Sequence, residues 1–240
     1  MSRPSRLALV GRGRMGRLLA TLAPAHGFEV AAAFTSADNA GGEGLTAENL
    51  TGVDIAIDFS TAAAVPTNVL RLAALGIPVV VGATGWGAEL PRVQAAVEAA
   101  GSGLVYGANF SIGVQIFYRL AETAARLMAA ADEYGAWAYE IHHDQKKDAP
   151  SGTLLELVKR VERTGFDRPV DVASSRAGSI PGTHVLGFDA EADTITLEHR
   201  ARSRTGFAHG ALKAARWLFE QTRAGRTGVY EFAEIWEEVL

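Results

Sequence analysis

The chain has 240 residues, of which 48% are hydrophobic and 21% charged, and a formal net charge of −4. These values are typical of globular proteins and exclude a largely disordered or fibrous chain, while the negative charge argues against a general nucleic-acid binder. The absence of cysteine excludes disulfides, thiolate-ligated zinc and covalent thiol catalysis. No apolar run approaches the roughly 18 residues of a membrane span, so we expect a cytoplasmic protein that does not enter a membrane.

Strands and helices alternate through the first half of the chain. Short apolar runs predict strands at residues 7–10, 28–34, 54–59, 78–82 and 104–106. Apolar residues at helical spacing predict helices at residues 15–22, 62–75 and 89–100. This alternation predicts a parallel sheet covered on both faces, with ligands bound at the carboxyl ends of the strands.

The second half has a different pattern. Helices are predicted at about residues 113–130, 153–163 and 209–223, and strands at 137–141, 170–172, 183–188 and 194–200. The last two strands have no long helix between them, which predicts an open sheet of mixed or antiparallel strands. Residues 230–240 are expected to form a short acidic tail element. The predicted fold class is therefore α/β, with a Rossmann-like parallel-sheet domain followed by an α+β domain.

A glycine-rich turn follows the first predicted strand. Gly11-Arg-Gly-Arg-Met-Gly16 matches the spacing G-x-G-x-x-G and leads directly into a predicted helix. There, Gly11 permits a tight turn, Gly13 lets the backbone approach a pyrophosphate, and Gly16 allows the helix to pack closely on the strand. This context indicates a dinucleotide site; the alternative is a glycine-rich turn that binds nothing.

The position that often carries an acidic ribose ligand, at the end of the second predicted strand, holds Thr35 and Ser36, and Asp38 lies beyond it. Two hydroxyls and the guanidinium of Arg12, helped by Arg14, can bind a 2′-phosphate without repulsion. We therefore expect NADPH to be used at least as well as NADH, with use of both cofactors. The alternative is that the arginines are solvated and the hydroxyls merely end a strand.

Titratable side chains are concentrated in residues 140–153, Glu-Ile-His-His-Asp-Gln-Lys-Lys-Asp-Ala-Pro-Ser-Gly-Thr. Because side chains alternate along a strand, His142 should share a face with Glu140 while His143 faces the other way. An imidazole exchanges protons near neutral pH, and Lys146 adds a positive charge.

Ser151-Gly152-Thr153 follows a proline and precedes two leucines, which predicts a helix N-terminus. Backbone N–H groups at such a terminus can hold a carboxylate, so these three residues form a candidate anion site. The alternative is an ordinary helix cap beside a solvated charged loop. A metal site is not expected, because adjacent histidines on a strand diverge and no H-x-x-x-H spacing occurs.

The segment is similar to the signature His-His-x-x-Lys-x-Asp-Ala-Pro-Ser-Gly-Thr of the 4-hydroxy-tetrahydrodipicolinate reductase family, which the chain matches at His142, His143, Lys146 and residues 148–153. The resemblance extends in order over nearly the whole chain. It includes the glycine turn, Asp58-Phe-Ser60, Gly82-Ala-Thr-Gly85, Ala108-Asn-Phe-Ser-Ile-Gly-Val114, Pro181-Gly182 and Ser203-Arg-x-x-Phe-x-x-Gly-Ala211.

The resemblance implies a role for each matching residue. His142 corresponds to the proton donor or acceptor and Lys146 to a second proton donor, while His143, Gly152 and Thr153 correspond to groups that bind the substrate's carboxylates. Dinucleotide contacts are implied for Gly11, Arg12, Gly13, Arg14, Met15, Gly82, Ala83, Thr84, Gly107, Ala108, Asn109 and Phe110. The residue patterns themselves add Ser151 at the anion site, and Gly16, Thr35 and Ser36 at the cofactor site.

The resemblance also implies a domain plan, in which residues 1–108 and 206–240 bind the dinucleotide and residues 109–205 bind the substrate and assemble a homotetramer. The expected reaction is the NAD(P)H-dependent reduction of 4-hydroxy-tetrahydrodipicolinate to tetrahydrodipicolinate with loss of water, in the diaminopimelate route to lysine. Two alternatives are another small NAD(P)-dependent reductase and a dinucleotide-sensing protein without turnover. The first does not explain the Ser151–Thr153 helix start, and the second does not require His142 and Lys146 beside it.

Overall fold

The structure is a computed structural model that describes residues 3–240, and these divide into two compact units. One unit runs to Ser111 and resumes with Phe207–Leu240; the other is Ile112–Gly206. The first boundary therefore falls after residue 111 instead of 108. Phe110 belongs to the first unit because its ring packs on that of Phe232, with 4.6 Å between the ring centroids.

The described chain contains the following regular elements in sequence order. The strands are β1 (Ser5–Val10), β2 (Phe28–Phe34), β3 (Ile55–Asp58), β4 (Val79–Val81), β5 (Gly103–Tyr106), β6 (Gly135–His142), β7 (Val170–Arg176), β8 (Thr183–Asp189), β9 (Thr194–Arg200) and β10 (Gly228–Glu231). The helices are α1 (Arg14–Leu22), α2 (Val65–Ala74), α3 (Leu90–Ala99), α4 (Ile112–Met128), α5 (Gly152–Glu162), α6 (Thr205–Arg223) and α7 (Phe232–Ile235).

The first unit is built on a six-stranded sheet in the order β10-β5-β4-β3-β1-β2. All five strand pairs are parallel. The strands read as continuous apolar runs because both faces are covered, and Leu7, Ile55 and Val80 are completely buried. Parallel strands place their carboxyl ends along one edge of the sheet, where the segments after β1 to β5 converge.

The second unit is built on a four-stranded sheet in the order β7-β6-β8-β9. β6 pairs parallel with β7 and antiparallel with β8, and β8 pairs antiparallel with β9, so the sheet is mixed as expected. Its buried apolar core includes Phe117 and Ala121 of α4, Leu157 of α5 and Leu186 of the sheet. One sheet face therefore lies against these two helices.

The parallel first sheet and the mixed second sheet confirm the predicted fold class. Two strands differ from the prediction. β7 continues to Arg176 instead of ending at 172, because its pairing with β6 extends to the partner of His142. β10 was not predicted as a strand; it adds a sixth strand beside β5, more than 100 positions earlier in the chain, and local sequence carries no signal for such pairing.

Within residues 3–240, no helix combines the length and the apolar content that crossing a membrane requires.

Candidate functional site

The glycine turn connects β1 to α1 in the first unit. Gly11 has a φ of +95°, and a Cβ there would lie 2.6 Å from the carbonyl oxygen of Phe59. A Cβ on Gly16 would lie 2.0 Å from the carbonyl oxygen of Gly11, so both positions require glycine for packing. A Cβ on Gly13 would meet no protein atom within 4 Å.

The start of α1 is open to a ligand. Gly13 is the N-cap residue, no side chain caps this helix end, and its first turn carries no acidic residue. Arg12 and Arg14 on either side of Gly13 are exposed. A helix N-terminus with an open approach and flanking cations fits the phosphates of a dinucleotide.

An acidic side chain reaches the end of β2, contrary to the expectation that none would be there. Asp38 folds back on Thr35, whose hydroxyl and backbone N–H both donate to Oδ2, at 2.7 and 3.0 Å. These hydrogen bonds, and then the charge of Arg12, lower the pKa of the Asp38 carboxyl. The hydroxyl of Thr35 is thus committed to a carboxylate, and the position is less suited to a 2′-phosphate than the sequence indicated. Ser36 is exposed beside it.

A series of hydrogen bonds between buried side chains holds the segment after β2 against the end of β3. Asp58 is fully buried and accepts hydrogen bonds from the backbone N–H of Ser60 at 2.7 Å and from Nδ2 of Asn68 at 2.8 Å. Asn39 Nδ2 donates to Asn68 Oδ1 at 2.9 Å, and Asn39 Oδ1 accepts from the N–H of Gly44. Burial raises the pKa of the Asp58 carboxyl, and the hydrogen bonds oppose this.

The ends of β4 and β5 complete the same edge of the sheet. A Cβ on Gly82 would overlap the ring of Phe59, and one on Gly107 would lie 3.0 Å from the Cβ of Phe232. Ala83 and Thr84 follow β4, and the buried Asn109 and Phe110 follow β5 after the exposed Ala108. The candidate cofactor residues of both strand ends therefore lie along the edge that carries the glycine turn.

In the second unit, His142 is the last residue of β6 and is buried on the same face as Glu140, as alternation predicted. His143 follows the last residue of β6 and is half-buried. The imidazole edge of His142 lies over Gly182, whose Cβ, if present, would be 2.9 Å from Nε2. Burial lowers the pKa of His142; the charge of Glu140 opposes this, and those of Lys146 and Arg176 add to it.

Ser151 is the N-cap of α5, and its hydroxyl accepts a hydrogen bond from the N–H of Leu154 at 3.2 Å. The same residue is buried and bound to Glu140 through both its N–H, at 2.9 Å, and its hydroxyl. Gly152 is exposed and Thr153 is half-buried, so these two residues are the accessible part of the helix start.

Lys146 lies in the loop between β6 and α5. Its Nζ is 2.8 Å from both carboxylate oxygens of Asp148. Although burial opposes the effect, the hydrogen bonds and charge of Lys146 lower the pKa of Asp148. The Lys146 side chain is 24% exposed, so this residue is not closed off from solvent.

Two family models together match almost the whole chain: one described as dihydrodipicolinate reductase, N-terminus, over residues 5–110, and one described as dihydrodipicolinate reductase, C-terminus, over residues 113–235. The chain belongs to this reductase family. Their junction lies within three residues of the end of the first unit's opening segment at Ser111.

Two relatives agree with this membership, and a solved structure shares the fold. The 4-hydroxy-tetrahydrodipicolinate reductase of Christiangramia forsetii is 30% identical, covering 98% of each chain, and that of Archaeoglobus fulgidus is 32% identical, covering 95% of this chain and all of the relative. A dipicolinate-bound dihydrodipicolinate reductase from Paenisporosarcina sp. TG-14 superposes with a TM-score of 0.76 at 21% identity, over 96% of this chain and 99% of that one. This likeness supports the fold.

Three residues near His142 were not predicted as site residues, although Glu140 was expected to share a face with His142. Glu140, Arg176 and His184 meet on one side of the second sheet, because the strand register sets His184 opposite Glu140 and Arg176 opposite His142. The only local signal was the spacing of two between Glu140 and His142. Arg176 and His184 come from other strands, and sequence spacing does not reveal their proximity.

Proposed function

We propose that this chain catalyses the NAD(P)H-dependent reduction of 4-hydroxy-tetrahydrodipicolinate to tetrahydrodipicolinate with loss of water, a step of the diaminopimelate route to lysine. The observation that carries the proposal is the second-unit site, where a buried histidine at the end of β6 adjoins the start of α5 within the matched family segment. A titratable imidazole beside a carboxylate-binding helix start suits proton transfer to a dicarboxylate.

The first unit is proposed to bind the dinucleotide. Its fit rests on the open approach to Gly13, the uncapped start of α1 and the two arginines beside it. The edge formed by the ends of β2, β4 and β5 supplies the remaining candidate contacts, which are Thr35, Ser36, Gly82, Ala83, Thr84, Gly107, Ala108, Asn109 and Phe110. When bound, the reduced nicotinamide supplies the hydride.

The second unit is proposed to bind the substrate and handle the proton. The backbone N–H groups at Gly152 and Thr153, the hydroxyl of Thr153 and the imidazole of His143 hold the two carboxylates, and the helix dipole favours their charge. Ser151 belongs to this site as the cap that fixes the helix start. His142 exchanges a proton through Nε2, and Lys146 supplies positive charge and a second proton.

Assembly through the exposed face of the second sheet is part of the proposal. Trp137, Tyr139 and Ile141 alternate with the buried positions of β6, and all three are only half-buried. Their neighbours on β8 are, in the same order, Gly187, Val185 and Thr183, and Gly187 leaves room for the Trp137 ring. Such an apolar sheet face suits contact with further copies of the chain, which we propose form a homotetramer in the cytoplasm.

Light scattering on the purified protein tests the assembly. A mass of four chains is expected for wild type, and a smaller assembly for Tyr139→Lys, which puts a charge in the centre of the face. A wild-type mass of one chain would contradict the proposal.

A spectrophotometric assay tests the reaction. We expect loss of absorbance at 340 nm with freshly generated hydroxy-tetrahydrodipicolinate, and none with aspartate semialdehyde or without substrate. Turnover of the semialdehyde instead would indicate a different reductase. Cofactor binding without turnover of either compound would indicate a sensing protein.

A further inference from the structure

The carboxylate of Glu140 is the most heavily hydrogen-bonded acidic group in the second unit. It is completely buried, and its Oε1 accepts from the N–H of Ser151 at 2.9 Å, from Ser174 Oγ at 3.1 Å and from Arg176 Nη2 at 2.8 Å. Its Oε2 accepts from the Ser151 hydroxyl. Burial by itself raises the pKa of Glu140, but the bonds from Ser151 and Arg176 outweigh it and hold the carboxyl ionised.

These contacts connect four elements around one side chain. The register of the sheet sets Ser174 of β7 and His184 of β8 on the two sides of Glu140, and Ser151 begins α5. Arg176 also donates to the backbone carbonyl of Asp148, in the loop that carries Lys146. Glu140 therefore ties the sheet to the helix start and to the loop before it.

Two imidazoles share the remaining side of the carboxylate. Oε2 lies 3.6 Å from Nδ1 of His142 and 3.4 Å from Nε2 of His184. The two rings are 5.0 Å apart and nearly perpendicular. Nδ1 of His142 is buried and makes no hydrogen bond within standard distance in the described chain, so the carboxylate at ion-pair distance is the charge that it faces.

The donor atoms of Glu140, His142 and His184 lie within 4.8 Å of one another, a spacing that a metal ion also requires. However, the carboxylate oxygens already accept four hydrogen bonds, one of them from a guanidinium. A second cation there would have to displace Ser151 or lie beside Arg176. The cluster is therefore better explained as a hydrogen-bonded group of charges than as a metal centre.

We propose that Glu140 is a positioning residue for the reaction: it holds His142 in the tautomer protonated on Nδ1, leaving Nε2 to exchange the proton, and it fixes the start of α5 for the substrate. The activity part of this inference rests on the proposed function, but the tautomer part does not. Carboxylates commonly set the tautomer of a functional histidine in this way.

Several charged or titratable groups face His142, and each contributes to its protonation. They are Glu140 on its own strand, Lys146 and Asp148 in the following loop, Arg176 on β7 and His184 on β8, with His199 of β9 acting on His184. Burial, and then the charge of His142, lower the pKa of His184, so this imidazole is neutral at neutral pH. Glu140 and Asp148 raise the pKa of His142, and the two cations lower it.

The protonation of His142 sets how activity depends on pH. A proton-donating His142 must be protonated, so activity falls as pH rises through its pKa. Removing the charge of Glu140 takes away a stabilising anion and lowers that pKa further. In Glu140→Gln, the alkaline limb of the kcat profile should move to lower pH by about one pH unit, the lower end of what a charge within 4–6 Å produces.

The tautomer is tested on wild-type protein labelled with ¹⁵N-histidine, without any activity measurement. Long-range ¹H–¹⁵N spectra at pH 8 distinguish the two neutral tautomers of each ring, and a His142→Gln spectrum assigns the signal. We expect His142 to be protonated on Nδ1 and His184 on Nε2. A His142 ring protonated on Nε2 would overturn the inference.

The effect of the Glu140 charge on His142 is tested by Glu140→Gln. Glu191→Gln is the control, because Glu191 is an exposed carboxylate of the same unit. In Glu140→Gln we expect a lower titration midpoint of His142 by NMR, the shifted kcat profile, and a rise of about tenfold in KM for the dicarboxylate from the loosened helix start. The control should match wild type in all three.

A merely structural Glu140 would give a different pattern. If Glu140→Gln folds like wild type and leaves the His142 midpoint and the kcat profile unchanged, the inference is wrong. Because Arg176 loses its buried partner, this variant can fail to fold, and the wild-type tautomer then decides the question. If wild type has the expected tautomer but shows no turnover, the proposed function fails and the positioning of His142 stands.

Discussion

The two units build their candidate sites in opposite ways. Around the glycine turn of the first unit, the site depends on residues that have no side chain. Gly11 and Gly16 are required for packing, and Gly13 leaves open space before a helix start. In the second unit the site is made of buried and half-buried side chains, with Glu140, Arg176 and two imidazoles in contact. The first site should therefore be damaged by adding atoms, and the second by removing them.

The largest effect should come from the second unit. His142→Gln should lower kcat by about 10² to 10⁴, because a general acid is lost while the binding groups remain. Lys146→Ala should cause comparable loss, whereas Lys159→Ala, on the exposed side of α5, should not. Steady-state kinetics, with circular dichroism and melting temperature, measure this. Unchanged kcat in His142→Gln would remove its proton role, and a large loss of stability would favour a structural role.

The next largest effect should show that the start of α5 binds the substrate and not the cofactor. Thr153→Val should raise KM for the dicarboxylate roughly ten- to a hundredfold, since a hydrogen bond to a charged group contributes about 1.5–3 kcal/mol. The Kd for NADH should hardly change. Thr123→Val, on an exposed position of α4, is the control. Equal weakening of both ligands would point to a folding defect instead.

The first unit also contains a network of buried polar side chains, and this network should be damaged by removing atoms. Asn68→Ala leaves the buried Asp58 carboxylate and the Asn39 amide without their shared partner. The free energy of unfolding should fall by about 1–3 kcal/mol, the cost of an unsatisfied buried polar group. Urea unfolding measures this, with the exposed Gln94→Ala as control. A loss no larger than that of the control would show that the network contributes little.

Adding a single methyl group tests the glycine turn directly. Gly13→Ala should fold normally, because its Cβ meets no protein atom within 4 Å. If the pyrophosphate approaches this backbone, the Kd for NADH should rise at least about tenfold, or about 1.4 kcal/mol. Gly87→Ala, which also meets no protein atom, is the control. Fluorescence titration measures both, and an unchanged Kd in Gly13→Ala would place the cofactor elsewhere.

The smallest expected effect concerns cofactor choice, where the structure reverses the reason for expecting NADPH. Asp38, held by Thr35, can accept a hydrogen bond from a ribose hydroxyl and repels a 2′-phosphate. Asp38→Ala should raise the ratio of kcat/KM for NADPH over NADH by roughly fivefold, about 1 kcal/mol for an exposed charge pair. Glu48→Ala should leave the ratio unchanged. A wild-type preference for NADPH that Asp38→Ala does not increase would restore the earlier expectation.

Much of this protein was decided by local sequence. The apolar runs of β1 to β5 and the helical periodicities between them predicted the first sheet, because burial on both faces leaves a continuous apolar signal. The glycine turn and the cap at Ser151 were also readable, since each depends on a few consecutive residues. The alternation of Glu140 and His142 on β6 followed from the period of two.

Only the tertiary structure decided which distant residues meet. Asp38 and Thr35, by contrast, are only three residues apart, so their hydrogen bonds belong to a local turn. Arg176 reaches Glu140 because β7 pairs with β6 in one register, and His184 reaches it because β8 pairs on the other side. β10 joins β5 across more than half the chain. Strand register and non-local pairing arise from the packing of whole sheets, so the surroundings of His142 could not be derived from its own segment.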